Sequence, residues 1–213
     1  MLKLYYSPGA CSLGLHILLR EINAEFELAR VLLAKGENFT AEYQRINPAS
    51  RVPALRDGEF ILTESQAIYA HAAAKFDDDI FLPRNLQQRA RAFEMTAWLS
   101  STVHIAYALL WRPERFVSNE KDYPPIIERG EELIPEHYTR IEQRLSSTDH
   151  ISGDEYSFAD TYLFVFYRWG GRIGLDMDKS YPNWTRWSKR MLDRPAVQEA
   201  MDVEGVTLFG LVE

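Results

Sequence analysis

The chain has 213 residues, 46% of them hydrophobic, enough apolar side chains to fill one large core or two small ones without disulfide or metal staples. Its 24 Lys and Arg stand against 31 Asp and Glu, a net charge of −7, and no basic stripe interleaved with aromatics occurs; nucleic acid is therefore excluded as the main ligand, because phosphate neutralisation dominates such binding. The single cysteine cannot close an internal disulfide, no secretory pattern opens the chain, and no apolar run approaches the ~20 residues of a bilayer span, so a cytoplasmic protein without membrane association is expected.

Leu2 to Tyr6 and Phe26 to Leu33 read as buried strands separated by an amphipathic helix from Ser12 to Ile22, a right-handed βαβ unit with parallel strands. Val52 to Arg56 and Phe60 to Leu62 flank Asp57-Gly58, the strongest short hairpin signal in the chain, and Glu64 to Phe76 reads as a helix. The order βαβ, connector, ββα is that of a thioredoxin-like α/β domain. Asp77 to Asn85 combines a charge run with Pro83 and reads as a solvated linker. Beyond it the period becomes 3.6, at Leu86 to Trp111, Ile126 to Leu145, Phe158 to Gly170 and Pro182 to Leu192, and Pro195 opens a last short helix ending near Met201. The expected architecture is thus a thioredoxin-like domain at 1–78 followed by an all-helical domain at 86–213. Ser157-Phe158-Ala159-Asp160 has the spacing of a capping box, and the glycine-rich Gly170 to Gly174 follows a helix and reads as its end, not as a phosphate loop.

Chemistry concentrates at three turns. Cys11 lies where the first strand passes through Ser7-Pro8-Gly9-Ala10 into the first helix, and a thiol there faces free N–H groups and the positive end of the helix, which favour thiolate. A buried cysteine acting as a small hydrophobe is the competing reading. Val52-Pro53 is either an ordinary edge-strand proline or a cis bond that frees the Val52 N–H and C=O for an extended peptide ligand. Thr63-Glu64-Ser65 either caps a helix or binds an amino acid head group, Ser65 taking a carboxylate and Glu64 an ammonium. The histidines at 16, 71, 104, 137 and 150 show no i, i+4 pairing, so no metal site is expected. His104 packs within its helix unless the fold sets it opposite Cys11. Serine hydrolase and paired-carboxylate chemistry lack their motifs.

Taken together, Tyr5-Tyr6-Ser7-Pro8-Gly9-Ala10-Cys11-Ser12, Val52-Pro53-Ala54-Leu55, Leu62-Thr63-Glu64-Ser65 and Ser157-Phe158-Ala159-Asp160 resemble the glutathione transferase family, and the opening Y-x-P-G-A-C-S is similar to that of the bacterial beta class. The resemblance implies that Cys11 contacts the glutathione sulfur and forms mixed disulfides with it, with His104 near the sulfur as a second catalytic residue. It implies that Val52, before a cis Pro53, pairs with the tripeptide backbone, that Glu64 and Ser65 hold the γ-glutamyl end, and that Tyr6 and Ser12 lie beside the cysteine. Lys35 is the expected partner of the glycyl carboxylate. Where the class often has Asn and Lys on the helix of the histidine, this chain has Ala97 and Ile105, and Ala49-Ser50-Arg51 replaces Lys-Gly-Gln, Arg51 restoring one cation. Tyr107, Trp111, Phe116 and Phe166 are candidates for an apolar pocket that takes a small hydrophobic electrophile. The resemblance further implies a two-fold homodimer with glutathione as co-substrate and no bound cofactor. Three functions follow for comparison: conjugation of glutathione to electrophiles, disulfide exchange or peroxidase chemistry through Cys11, and non-catalytic binding.

Overall fold

The computed structural model describes residues 1–76, 83 and 85–211. Strand β1 (Leu2–Tyr6) alternates: Leu2, Leu4 and Tyr6 enter the main core and Tyr5 joins a smaller cluster on the other face. Helix α1 (Ser12–Glu21) is buried from Ser12 to Leu19 because it is covered on two sides. Strand β2 (Phe26–Arg30) pairs in parallel with β1, and its last rung is Tyr6 with Arg30. The run expected to continue to Leu33 stops there because β1 offers no further partner. Val31 gives its N–H to the Tyr6 carbonyl at 2.7 Å, and the chain then bends into 3-10 turns at Leu33–Lys35 and Glu37–Phe39.

The short helix α2 (Ala41–Gln44) is capped by Thr40, whose hydroxyl accepts from the Tyr43 N–H. Strands β3 (Ala54–Asp57) and β4 (Phe60–Thr63) form the hairpin around Gly58, and helix α3 (Ser65–Phe76) closes the unit. Sheet order is β2-β1-β3-β4, with β1 parallel to β2 and antiparallel to β3. This is the thioredoxin-like arrangement. The expected linker lies, for 77–82 and 84, outside the described residues.

Asn85 opens the helical domain by accepting from the Gln87 and Gln88 N–H groups at the start of α4 (Leu86–Trp98). The single helix expected from Leu86 to Trp111 is interrupted by a π segment, Leu99–Val103, before α5 (His104–Trp111). The Ser100 and Ser101 hydroxyls both donate to the Ala97 carbonyl, at 3.1 and 2.8 Å, and such back-bonding favours a local widening of the helix. Helix α6 (Tyr123–Leu145) starts earlier than the expected Ile126, since Pro124 and Pro125 occupy first-turn positions that need no N–H. Helix α7 (Phe158–Arg172) runs past Gly170, α8 (Met177–Ser180) is too short to show a period, and α9 (Pro182–Leu192) and α10 (Pro195–Glu204) complete the domain.

One apolar core runs through both domains, from Leu2 and Leu4 to Trp184 and Met201. At the seam α1 lies against α7 at Gly14, where an added Cβ would stand 3.0 Å from the Thr161 carbonyl oxygen and the Tyr162 Cα. Only glycine permits that approach. Asp160, fully buried, forms the capping box with Ser157 and also accepts from the Ile151 N–H at 3.2 Å and the Trp187 Nε1–H at 3.1 Å. Among the described residues no helix is long and apolar enough to cross a membrane.

Candidate active site

Cys11 is the N-cap of α1, at the end of a loop that is closed by its own neighbours. The Ser12 hydroxyl accepts from the Ser7 N–H at 3.2 Å and donates to the Ser7 carbonyl at 3.3 Å, while the Ala10 N–H also donates to that carbonyl. Ser12, a candidate for ligand contact beside the cysteine, is fully buried and holds the loop shut. The Cys11 thiol donates to the Val52 carbonyl oxygen at 3.4 Å, so the sulfur and the segment ahead of Pro53 converge. The Val52-Pro53 bond is cis. Arg51 is exposed, but its carbonyl is fixed by the Tyr43 hydroxyl and the Asn47 amide, each at 2.7 Å.

The expected thiolate is not what this environment favours. Burial pushes the Cys11 thiol up to about 12, and the N–H groups of Cys11 and Ser12 and the Arg115 guanidinium only partly oppose it. A helix terminus stabilises a thiolate by a modest amount, and the dry surroundings of Cys11, a residue 7% exposed, outweigh it.

Glu64 and Ser65 begin α3, the Glu64 carbonyl accepting from the Ile68 N–H at 3.0 Å. Glu64 is exposed at φ +68, a left-handed conformation that costs a non-glycine residue on the order of 1 kcal/mol and that clusters at ligand sites. Opposite them Tyr162, on α7, holds its phenol protonated: burial and the neighbouring Cys11 push it up, and hydrogen bonding from Ser65 pulls the other way. The same phenol lies 3.4 Å from the His104 Nδ1. His104 stands at the start of α5, edge-on to Trp169 at 5.2 Å and to Phe166 at 6.1 Å. Burial, then the charges of Arg115 and Arg51, lower its pKa to about 4, so the ring is neutral at neutral pH.

Cys11 thus meets Val52, and Tyr162 links Cys11, Glu64 and Ser65 to His104, so these side chains form one cluster, to which Arg115 and Tyr162 are additions that sequence reasoning missed. Tyr162 lies two residues past the capping-box Asp160, where it reads as one more core position of the helix. Arg115 lies in an irregular 3-10 turn, Pro113–Arg115, which carries no sequence signal.

Other candidates lie elsewhere. Tyr6 faces the core against His16, with ring centroids 6.0 Å apart, because strand alternation gives Tyr5 to the side of Val52 and Tyr43. Tyr107 is fully buried, its hydroxyl 2.5 Å from that of Tyr138, and Phe166 is likewise core, so neither lines a pocket for a second substrate. Trp111 is half-buried against Trp169, and Phe116 is 41% exposed beside Arg115. Lys35 is exposed on the turn after β2. Among the described residues no group of three or more His, Cys, Asp or Glu side chains is placed to hold a metal ion.

Residues 1–74 match the family model of the glutathione S-transferase N-terminal domain and residues 102–195 that of the C-terminal domain. Glutathione S-transferase GstA of Escherichia coli O157:H7 is 31% identical over 208 residues, 96% of this chain and 100% of that protein. A glutathione transferase homolog from Sulfitobacter, solved with bound glutathione, has a TM-score of 0.90 at 29% identity over 95% of this chain and 98% of its own. The bacterial beta class glutathione S-transferase of Sphingomonas chungbukensis has a TM-score of 0.83 at 34% identity, over 96% and 100%. A thioredoxin-like sheet, a helical domain sharing its core and a thiol set against a cis-proline segment place this chain in the glutathione S-transferase family of enzymes.

Proposed function

We propose that the chain is a beta class glutathione transferase that conjugates the glutathione thiolate to small apolar electrophiles, with the tripeptide lying between Cys11 and the Val52-Pro53 segment. The observation that carries this reading is the 3.4 Å contact of the Cys11 thiol with the Val52 carbonyl, which sets the sulfur and the peptide-pairing backbone at one point. In this reading the Val52 backbone pairs with the cysteinyl residue of glutathione, and Glu64 and Ser65 at the start of α3 take the γ-glutamyl ammonium and carboxylate. Lys35 and Arg51 serve the glycyl carboxylate.

The bound thiol must lose its proton before its sulfur can form a carbon–sulfur bond and expel the leaving group. A neutral His104 contributes hydrogen bonding and not positive charge, so the cationic field at the sulfur comes from Arg115, which acts on both Cys11 and His104. With Tyr107 and Phe166 in the core, the electrophile rests on Trp111 and Phe116. The sheet domain at 1–78 and the helical domain at 86–213 each supply one wall, and the enzyme works as a cytoplasmic homodimer without a bound cofactor.

Disulfide exchange is the second reading, favoured by the lone cysteine at the sulfur position. Cys11 thiolate would attack a glutathione mixed disulfide, release the partner thiol, and be freed by a second glutathione, which leaves as glutathione disulfide. Burial that disfavours the Cys11 thiolate weighs against this second reading, since the thiolate is the attacking form. Conjugation of 1-chloro-2,4-dinitrobenzene and reduction of 2-hydroxyethyl disulfide, measured for the parent and Cys11→Ala, separate the two. Conjugation retained within about tenfold in the variant supports the first reading. Loss of disulfide reduction as the sole measurable activity would overturn it in favour of the second.

A further inference from the structure

The polar groups of Gly9, two residues ahead of Cys11, are both held by the helical domain. Its N–H donates to Glu204 Oε2 at 2.8 Å, and its carbonyl accepts from the Trp169 Nε1–H at 2.9 Å. Gly9 is at φ +67, and a Cβ there would stand 3.2 Å from Arg168 Nη1. The loop has no room to relax in that direction. Arg168 in turn donates to the Thr207 and Gly210 carbonyls and lays the tail of the chain across the clamp.

The second Glu204 oxygen is equally committed. It lies 2.9 Å from His16 Nδ1, with both side chains fully buried. Arg20 Nε donates to His16 Nε2 at 2.9 Å, and because a guanidinium only donates, that nitrogen carries the lone pair. His16 is therefore neutral, its Nδ1–H donates to Glu204, and the carboxylate accepts from one group of α1 and one of the Cys11 loop. Trp169 has a second engagement of its own, since its ring meets His104 edge-on at 5.2 Å.

We propose that Glu204 and Trp169 are positioning residues for the thiol chemistry: they bolt the Cys11 loop to α7 and α10 and so fix the distance between the site's sulfur position and His104. Both side chains are buried. Their effect passes through Gly9, because a misplacement of about 1 Å at a reacting group costs up to roughly 100-fold in rate.

The proposal takes Cys11 to mark the reacting position, and it is tested by two readouts, one of which needs no glutathione. Trp169→Phe keeps the ring and removes only the N–H, Glu204→Gln keeps an oxygen for the Gly9 N–H, and Glu204→Ala removes both. Expected is a fall in kcat of roughly tenfold for Trp169→Phe and Glu204→Ala with glutathione KM moved less than about threefold, and partial recovery in Glu204→Gln. Alkylation of Cys11 by iodoacetamide should accelerate about tenfold in the same two variants, as the sulfur leaves its buried contact with Val52. If Glu204→Ala does not fold, Trp169→Phe alone decides. Lowered melting temperatures with kcat per folded molecule and alkylation rate both unchanged would overturn the proposal. Absence of conjugation in the parent enzyme would instead sink the functional reading, and the alkylation rates would still judge the clamp.

Discussion

The two walls of the groove are made differently. The sheet domain supplies backbone: the Val52-Pro53 segment and the turn at Glu64, with local support such as that of Tyr43, and the Cys11 loop, which Ser12 closes locally and Glu204 and Trp169 tie to the helical domain. The helical domain supplies side chains, His104, Tyr162 and Arg115, whose places depend on how α5 and α7 pack. A wall of backbone is set by local turn chemistry, whereas a wall of side chains is only as exact as the packing behind it.

Unseating the helical wall is expected to have the largest effect. Asp160→Ala leaves the buried N–H groups of Ser157, Ile151 and Trp187 without their acceptor, which should cost roughly 3–5 kcal/mol and lower the melting temperature by about 10 °C. Thermal unfolding followed by circular dichroism measures it, and a shift under a few degrees would show that α7 does not rely on this cap.

His104 comes next, through pH. Its folded pKa of about 4 lies below its ordinary value of 6.5, so as pH falls the unfolded chain binds this proton first. The stability it contributes is complete above about 6.5, declines as pH drops from there to about 4, and is then constant. By 1.36 kcal/mol per unit the span is at most about 3 kcal/mol, less where water reaches the ring. Chemical denaturation from pH 7.5 to 4 should show a flatter profile for His104→Gln than for the parent.

A lesion in the backbone wall should be smaller. Tyr43→Phe removes one of two donors to the Arg51 carbonyl and leaves the Asn47 amide in place, so a loss of about 1 kcal/mol is expected at the urea midpoint. Smallest of all is Arg115→Gln. A partly solvated cation is worth a few tenths to 1 kcal/mol, so the pH midpoint of conjugation should rise by a few tenths of a unit. A shift of a full unit or more would mean that Arg115 bonds the sulfur directly.

The same division decides what could be read from the sequence. The turns around Cys11, Pro53 and Glu64 are local, and their residue types announce them; the strand order follows from the βαβ and hairpin signals. Which face of β1 each tyrosine takes is not legible, because a period of two gives two faces and no label; Tyr6 turns into the main core with Cys11, and Tyr5 to the side of Val52. Nor could the state of Cys11 be read, since the helix end is local and visible while the burial that outweighs it is tertiary. The π segment before His104 arises from serines bonding back to Ala97, which looks like ordinary helix in a hydropathy pattern. Arg115 became visible only when folding brought an irregular turn to the mouth of the groove.

The glycine at position 14 has a consequence for motion. Where α1 and α7 meet main chain to main chain, with the Tyr69 hydroxyl wedged beside them, the domains cannot pivot about that line without parting a shared interior. Interdomain distance rulers should then read the same value with and without added glutathione.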